Sequence, residues 1–215
     1  VREVAAKNNV HATFMPKPLE GIQGSGMHVH LSLFQDDENA FYDGDDPYYL
    51  SPTAKSFMAG LLRHAPEITA VTNQTVNSYK RLVPGFEAPV HVSWARNNRS
   101  GLIRVPIAKK GNPTATRLEY RSPDPACNPY LAFSLMLAAG MKGVDEGYQL
   151  PDEAEANDFE TSDDVRADSG MGQLPESLAV ALEAMENSTL VREALGEHIF
   201  EWFLRNKRQE WRAYK

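Results

Sequence analysis

The first third of the chain contains a segment in which polar and apolar positions alternate strictly. Residues 24–33 read Gly-Ser-Gly-Met-His-Val-His-Leu-Ser-Leu. Because successive side chains of a β-strand point to opposite faces, His28, His30 and Ser32 share one face and the apolar residues between them share the other. The pattern predicts a strand that packs its apolar face on a core and presents two imidazoles and a hydroxyl on the opposite face. Half-exposed strands carry such patterns without any function, so this motif alone does not establish a site.

A second segment, residues 117–121, alternates in the same way and carries complementary chemistry. Arg117, Glu119 and Arg121 share one face of this predicted strand, and a leucine and a tyrosine share the other. A carboxylate between two guanidinium groups, beside a strand that offers imidazoles, suits a divalent metal ion next to an anionic substrate. The two segments together therefore predict one site built on two strands.

Helical periodicity and capping residues predict the remaining elements. Ser51 followed by Pro52 predicts the start of one helix, and Asn128 followed by Pro129 predicts the start of another, over 129–145. The second helix is apolar nearly all round, so we expect it to be the central buried helix. Further strands are predicted over 11–15, 90–94 and 101–106, and further helices over 175–186, 189–195 and 197–213. This order of elements indicates the α+β class, with helices packed behind an antiparallel-leaning sheet.

The composition is that of an ordinary globular domain and argues against two classes of partner. The 215 residues carry a formal net charge of −7, and no apolar run approaches the ~20 residues of a membrane-spanning helix. The segment 145–168 holds ten acidic residues and one basic residue, so the rest of the chain carries +2 and has enough arginine to receive anions. The single cysteine, Cys127, excludes an internal disulfide framework and fits a reducing compartment. We therefore expect a cytoplasmic protein that binds neither nucleic acid nor a membrane.

Four separated motifs, taken in order, resemble the glutamine synthetases of the bacterial and archaeal type I group. They are Lys17-Pro18 with GSGMHVHLS at 24–32, NSYKRLVPGFEAP at 77–89, NRS at 98–100, and RLEYR at 117–121 with PDP at 123–125 and NPY at 128–130. The match covers nearly the whole chain, and blocks in the right order are far more specific than a lone Gly-Ser-Gly. The resemblance implies that residues 1–215 belong to the catalytic domain, a curved antiparallel sheet backed by helices. It also implies that an N-terminal β-grasp domain and part of the catalytic domain precede them.

Enzymes of this family phosphorylate the γ-carboxylate of glutamate with ATP, and ammonia then displaces the phosphate. The resemblance implies that His28 and Glu119 are ligands of a Mg²⁺ or Mn²⁺ ion on the ATP side of the site, with the remaining ligands outside the chain. Contacts with the nucleotide and its phosphates are implied for His30, Ser32, Arg99, Arg104 and Arg117. Arginine suits this role because its planar fork meets phosphate oxygens with paired hydrogen bonds.

The resemblance also assigns the amino-acid side of the site. Gly24, Arg81 and Arg121 match residues that bind glutamate. Glu87 lies in Pro-Gly-Phe-Glu-Ala-Pro, which resembles the family's flap, where the glutamate closes the site, binds ammonium and takes its proton. A base is required because ammonium is not nucleophilic, and closure keeps water from hydrolysing γ-glutamyl phosphate. Glu87 and Arg99 are thus the implied catalytic residues.

The family further implies glutamate, ATP and ammonium as ligands, and a homo-oligomer, a double-ring dodecamer with active sites between subunits. Because the chain offers only two metal ligands, we expect it to bind metal weakly and to lack activity by itself. Two alternatives remain open: a γ-glutamyl ligase that uses an amine in place of ammonia, and a catalytically silent assembly fragment. The carboxylate of Glu87 speaks against the first alternative. The intact set of His28, Glu87, Arg99 and Glu119 speaks against the second.

Overall fold

The computed structural model describes residues 1–96, 101–107, 111–154 and 172–215. Within these ranges the helices are α1 (Arg2–Lys7), α2 (Pro52–Thr72), α3 (Ser78–Arg81), α4 (Pro129–Asp145), α5 (Leu178–Glu186) and α6 (Thr189–Tyr214), with a 3₁₀ turn at Pro113–Ala115. The strands are β1 (Val29–Leu31), β2 (Phe34–Gln35), β3 (Glu38–Asn39), β4 (Trp94–Ala95), β5 (Ile103–Arg104) and β6 (Leu118–Tyr120). Among the described residues, no helix is long and apolar enough to cross a membrane.

The sheet that positions the predicted site has the strand order β1-β6-β5-β4. β6 pairs antiparallel with both β1 and β5, while β4 pairs parallel with β5 through Trp94 and Ile103. The predicted α+β class, a sheet backed by helices, is confirmed, but the sheet is mixed rather than wholly antiparallel. Alternation of side chains fixes the face of a strand and not the direction of its neighbour, so the sequence could not show this parallel pair. The strand predicted over 11–15 is wrong, because that backbone is irregular and pairs with no strand.

The predicted starts of α2 and α4 are confirmed. Ser51 Oγ accepts a hydrogen bond from the Ala54 backbone, and Asn128 Oδ1 accepts one from the Tyr130 backbone. The expectation that α4 is the central buried helix is wrong: α2 lies at the centre of the core, while Tyr130 on α4 is 82% exposed. Apolar composition all round a helix does not reveal which of its faces finds a partner.

α2 and α4 pack closely against each other within the hydrophobic core. A Cβ atom added to Gly143 would lie 2.2 Å from the Ser56 carbonyl oxygen, and one added to Gly60 would lie 2.2 Å from the Ala139 carbonyl oxygen. The two backbones therefore approach as closely as glycine allows. α6 bends at Gly196, where φ is 71° and ψ is 155°, so the two helices predicted over 189–195 and 197–213 meet at a kink.

Candidate active site

The polar faces of β1 and β6 come together as the alternation predicts. His30 and Glu119 are directly paired across the two strands, and the side chains of residues 28, 30 and 32 are more exposed than those of their apolar neighbours. His28 lies just before β1, and its Nδ1 is 2.9 Å from Oε1 of Glu119. The imidazole and the carboxylate are thus on one side of the sheet and within reach of a common ligand.

Glu119 is the centre of a cluster of charges. Its side chain is buried, and Oε1 accepts a hydrogen bond from Arg121 while Oε2 accepts one from Arg104, each at 2.7 Å. Burial acts to raise the pKa of Glu119, but the hydrogen bond and charge of Arg104 and the charges of Arg121 and His28 lower it overall. The carboxyl group is therefore held in its charged form.

His28, by contrast, is held in its neutral form. Burial lowers the pKa of His28, and the positive charges of Arg121 and Arg81 lower it further, against the opposing effect of Glu119. A neutral imidazole keeps a lone pair, which binding to a metal ion requires.

The donors His28 and Glu119 fit part of a divalent metal site. A nitrogen and a carboxylate oxygen side by side suit Mn²⁺, and Mg²⁺ accepts the oxygen. The described part of the chain contains no group of three or more His, Cys, Asp or Glu side chains that could hold a metal ion. A well-held ion therefore needs ligands beyond this pair.

A cavity of about 190 Å³ lies beside this cluster and is lined by all four residues predicted on the amino-acid side. It is lined by Gln23, Gly24, Gly26, His28, Arg81, Phe86, Glu87, Ala88 and Arg121. Pockets for drug-sized ligands are roughly 300–1,000 Å³, so this cavity suits a smaller molecule. The structure thus brings Gly24, Arg81 and Arg121 together with Glu87 and His28 around a space of amino-acid size.

Arg81 has a structural task that the sequence did not reveal. Arg81 is 4% exposed, and its guanidinium donates to the carbonyl oxygens of Ser122 at 2.6 Å and Arg121 at 3.1 Å. Burial lowers the pKa of Arg81, partly offset by the charge of Asp124. Arg81 therefore braces the chain after β6 while it lines the cavity. Its predicted contact with glutamate stays a prediction.

The glycines before β1 are needed for packing as well as for ligand approach. A Cβ atom on Gly24 would lie 2.3 Å from the Pro16 carbonyl oxygen, and one on Gly26 would lie 2.5 Å from a terminal nitrogen of Arg81. A side chain at position 24 would push the loop away from the backbone of Pro16, and one at position 26 would displace the guanidinium of Arg81. The family resemblance assigns a ligand contact to Gly24 and none to Gly26, although Gly26 lies in the same motif.

Glu87 stands in a conformation that side chains rarely adopt. Its φ is 55°, two residues after Gly85 with φ of 87°. A non-glycine residue in this region is strained, and such strain is often found at functional sites. Ala88, the next residue, is buried, so the strained turn is anchored on its far side.

The residues predicted on the nucleotide side lie farther along the same face. Arg117 donates through Nε to Nδ1 of His30 at 3.2 Å, and both side chains are exposed. Ser32 is also exposed, one residue after β1. Arg104 links this region to Glu119, with the two residues directly paired across β5 and β6. Arg99 lies outside the described residues.

Comparison with known proteins gives a consistent result over the full chain. Residues 1–215 match the family model described as the catalytic domain of glutamine synthetase. The glutamine synthetase of Mycolicibacterium smegmatis is 56% identical over 215 residues, and that of Thermotoga maritima is 50% identical over 214 residues. Both alignments cover 100% of this chain and 48% of the relative. The chain therefore spans about half the length of the curated relatives it matches.

Two solved structures share the fold. The structure described as "GmaS/ADP complex-Conformation 1" has a TM-score of 0.86 and 36% identity, and covers 99% of this chain and 48% of that one. "Apo GmaS without ligand" has a TM-score of 0.85 and 37% identity, with 99% and 47% covered. The family-model match over every residue and the relatives at half or more identity agree with the geometry of the sheet and cavity. The chain belongs to the glutamine synthetase family.

Proposed function

We propose that this chain forms the catalytic part of a ligase that joins ammonia to the γ-carboxylate of glutamate, with γ-glutamyl phosphate as the intermediate. The observation that carries the proposal is the cavity in which Arg121, His28 and Glu87 meet beside the Glu119 cluster. Arginines to hold carboxylates, a metal-ligand pair and a base at one small cavity match the needs of acyl-phosphate formation followed by attack of an amine.

Binding of glutamate falls to the arginine side of the cavity. Arg121 lines it, and Nε of Arg121 is buried without a hydrogen-bond partner among the described residues. The positive charge of this guanidinium at the cavity wall is suited to a carboxylate. Arg81 supplies a second positive charge at the cavity wall, and Gly24 leaves the backbone open to the ligand.

Phosphoryl transfer needs charge stabilisation more than covalent chemistry from the protein. Arg104 lies on the nucleotide side of Glu119, and Arg117 with His30 lies beyond it on the same face. We assign contacts with ATP to these residues and to Ser32 and Arg99, as the family resemblance implies. The neighbour described as an ADP complex supports nucleotide binding by this fold.

His28 and Glu119 would hold the divalent ion, together with ligands from beyond the described residues. A bound Mg²⁺ or Mn²⁺ supplies neutralisation of the charge that develops on the phosphate oxygens. The protein's own part is to keep the imidazole neutral, through burial and the charges of Arg121 and Arg81, and the carboxylate charged, through Arg104 and Arg121.

Glu87 acts in the last step of the proposed reaction, the attack of ammonia on γ-glutamyl phosphate. Its carboxylate, on the strained turn at the cavity mouth, would bind ammonium and accept the proton that must leave before nitrogen can attack. The proposal includes glutamate, ATP and ammonium as substrates and assembly into a homo-oligomer in the cytoplasm. Arg99 remains its second assigned catalytic residue.

The test is the activity of the complete gene product, since the curated relatives are about twice the length of this chain. Glutamine formation is measured with glutamate, Mg-ATP and ammonium, and in parallel with ethylamine or putrescine. The proposal predicts ammonium-dependent glutamine formation that falls by about 10²- to 10⁴-fold in Glu87→Ala, the usual contribution of a general base. Product from the amines alone would favour the amine ligase, and no product from any nitrogen donor would favour the silent fragment.

A further inference from the structure

A lysine outside the proposed catalytic set bridges two segments that line the cavity. These segments are the glycine loop, residues 19–26, and the flap, residues 84–89, which contains Glu87. Nζ of Lys17 lies 3.7 Å from the centre of the Phe86 ring. Phe86 directly precedes Glu87 in the sequence. The same Nζ donates to the carbonyl oxygen of Ile22 in the glycine loop.

The backbone of Lys17 is itself fixed. Its N–H donates to Oδ1 of Asn77 at 2.7 Å, and Nδ2 of Asn77 donates to its carbonyl oxygen at 3.0 Å. The amide of Asn77 therefore binds Lys17 as a neighbouring strand would, through one donor and one acceptor. A half-buried lysine on a fixed backbone can hold the flap in place, whereas a free surface lysine could not.

The flap requires such a restraint. Glu87 has a positive φ, and Gly85 before it has no atom within 4 Å of the position where a Cβ would stand. Phe86, by contrast, lines the cavity and contacts the lysine. A strained residue persists only where its surroundings fix it, and the cation–π contact of Lys17 with Phe86 fixes the residue next to Glu87.

We propose that Lys17 is a positioning residue, which sets the flap over the cavity through Phe86 and so places the carboxylate of Glu87 for its role. This rests on the proposed function for its catalytic consequence, but not for its structural one. Loss of the contact frees the flap, so water enters and Glu87 is less often in position.

The experiment uses Lys17→Met, which keeps the length of the side chain without its charge, and Lys17→Arg, which keeps a cation that can lie over the ring. Lys215→Met is the matched control, because Lys215 lies over the Trp211 ring at the far end of α6. Hydrogen–deuterium exchange of residues 84–89 in the complete gene product reports the flap without any turnover. Kinetics then give the KM for ammonium, the KM for ATP, and phosphate released per glutamine formed.

We expect Lys17→Met to speed exchange in the flap and to raise the KM for ammonium by roughly 5- to 30-fold, the factor for a contact of one to two kcal/mol. Phosphate released per glutamine should rise, and the KM for ATP should stay unchanged. Lys17→Arg should behave nearly as the wild type in each measurement, and Lys215→Met should show none of these changes. Unchanged exchange in Lys17→Met, or an arginine variant as impaired as the methionine variant, would overturn the proposal.

A second variant keeps the test decisive if Lys17→Met fails to fold. Phe86→Leu removes the ring and leaves Lys17 in place, and it should show the same faster exchange and the same kinetic changes. Wild-type flap exchange in Phe86→Leu would contradict the proposal. If the wild-type protein forms no glutamine, the proposed function fails, while the exchange data still decide whether Lys17 holds the flap.

Discussion

Replacing Glu119 by glutamine tests how the site is held together. Glu119→Gln keeps the shape of the side chain and removes the negative charge that Arg104, Arg121 and His28 share. Two guanidinium groups would then face one neutral amide, whose NH₂ group cannot accept either hydrogen bond. The perturbation is therefore electrostatic and leaves the core volume unchanged.

The size of the effect follows from burial. Glu119 is 2% exposed and Arg121 is 6% exposed, so this pair counts as buried, whereas the Arg104 side chain is about one-third exposed and contributes less. Removing one partner of a buried pair costs about 3–5 kcal/mol. For a domain of this size each kcal/mol lowers Tm by about 2–4 °C, so we expect a loss of roughly 6–20 °C.

The assay is thermal unfolding followed by circular dichroism, with Glu146→Gln as the matched control. Glu146 pairs with Lys142 at 2.6 Å, but both side chains are exposed, so the same substitution should barely change Tm. A loss of Tm in Glu119→Gln no larger than in Glu146→Gln would show that the buried charge pair of Glu119 and Arg121 does not stabilise the site.

Three further predictions concern packing, pH and the glycine loop. Gly143→Ala should destabilise the protein by about 1–3 kcal/mol or more in urea unfolding, because its methyl group would meet the Ser56 carbonyl oxygen at 2.2 Å; wild-type stability would contradict the close approach of α2 and α4. Burial acts to raise the pKa of Glu67, but hydrogen bonds from His64 and Ser188 lower this pKa overall. The charged Glu67 therefore stabilises the fold above the unfolded pKa of about 4.3. This stabilisation is lost as the pH falls through the lower folded pKa. Glu67→Gln should therefore flatten the decline of unfolding free energy below about pH 5, and an unchanged slope would count against this. Gly24→Ala should raise the KM for glutamate more than the KM for ATP in steady-state kinetics, and equal changes would show a general loss of structure.

The α+β class and the shared face of the two site strands could be predicted from the sequence, whereas strand direction and the burial of each helix could not. The period of two in a strand was enough to place His28 and Glu119 on one face, because one face of each strand had to be apolar. The same rule could not show that β4 runs parallel to β5, since the direction of a neighbour leaves no trace in the alternation. It also failed for α4, whose exposed Tyr130 shows that apolar composition does not specify burial.

Side-chain contacts between segments that are distant in the sequence could not be predicted from the pattern of polar and apolar residues. The hydrogen bonds from Arg81 to the carbonyl oxygens of Arg121 and Ser122 join residues about 40 positions apart, and nothing in either segment signals them. The contact of Lys17 with Phe86 is of the same kind. Motif resemblance marked these residues as part of the site region, but only the folded chain shows what each of them touches.

The most direct test of the central claim follows one oxygen atom and one nitrogen atom through the reaction. The complete gene product is supplied with glutamate labelled with ¹⁸O in the γ-carboxylate, ¹⁵N-ammonium and Mg-ATP, and the products are resolved by mass spectrometry. We expect ¹⁵N in the amide of glutamine and one ¹⁸O in each phosphate released, because the carboxylate oxygen leaves with the phosphoryl group. Phosphate without ¹⁸O, or no ¹⁵N-labelled glutamine, would contradict it.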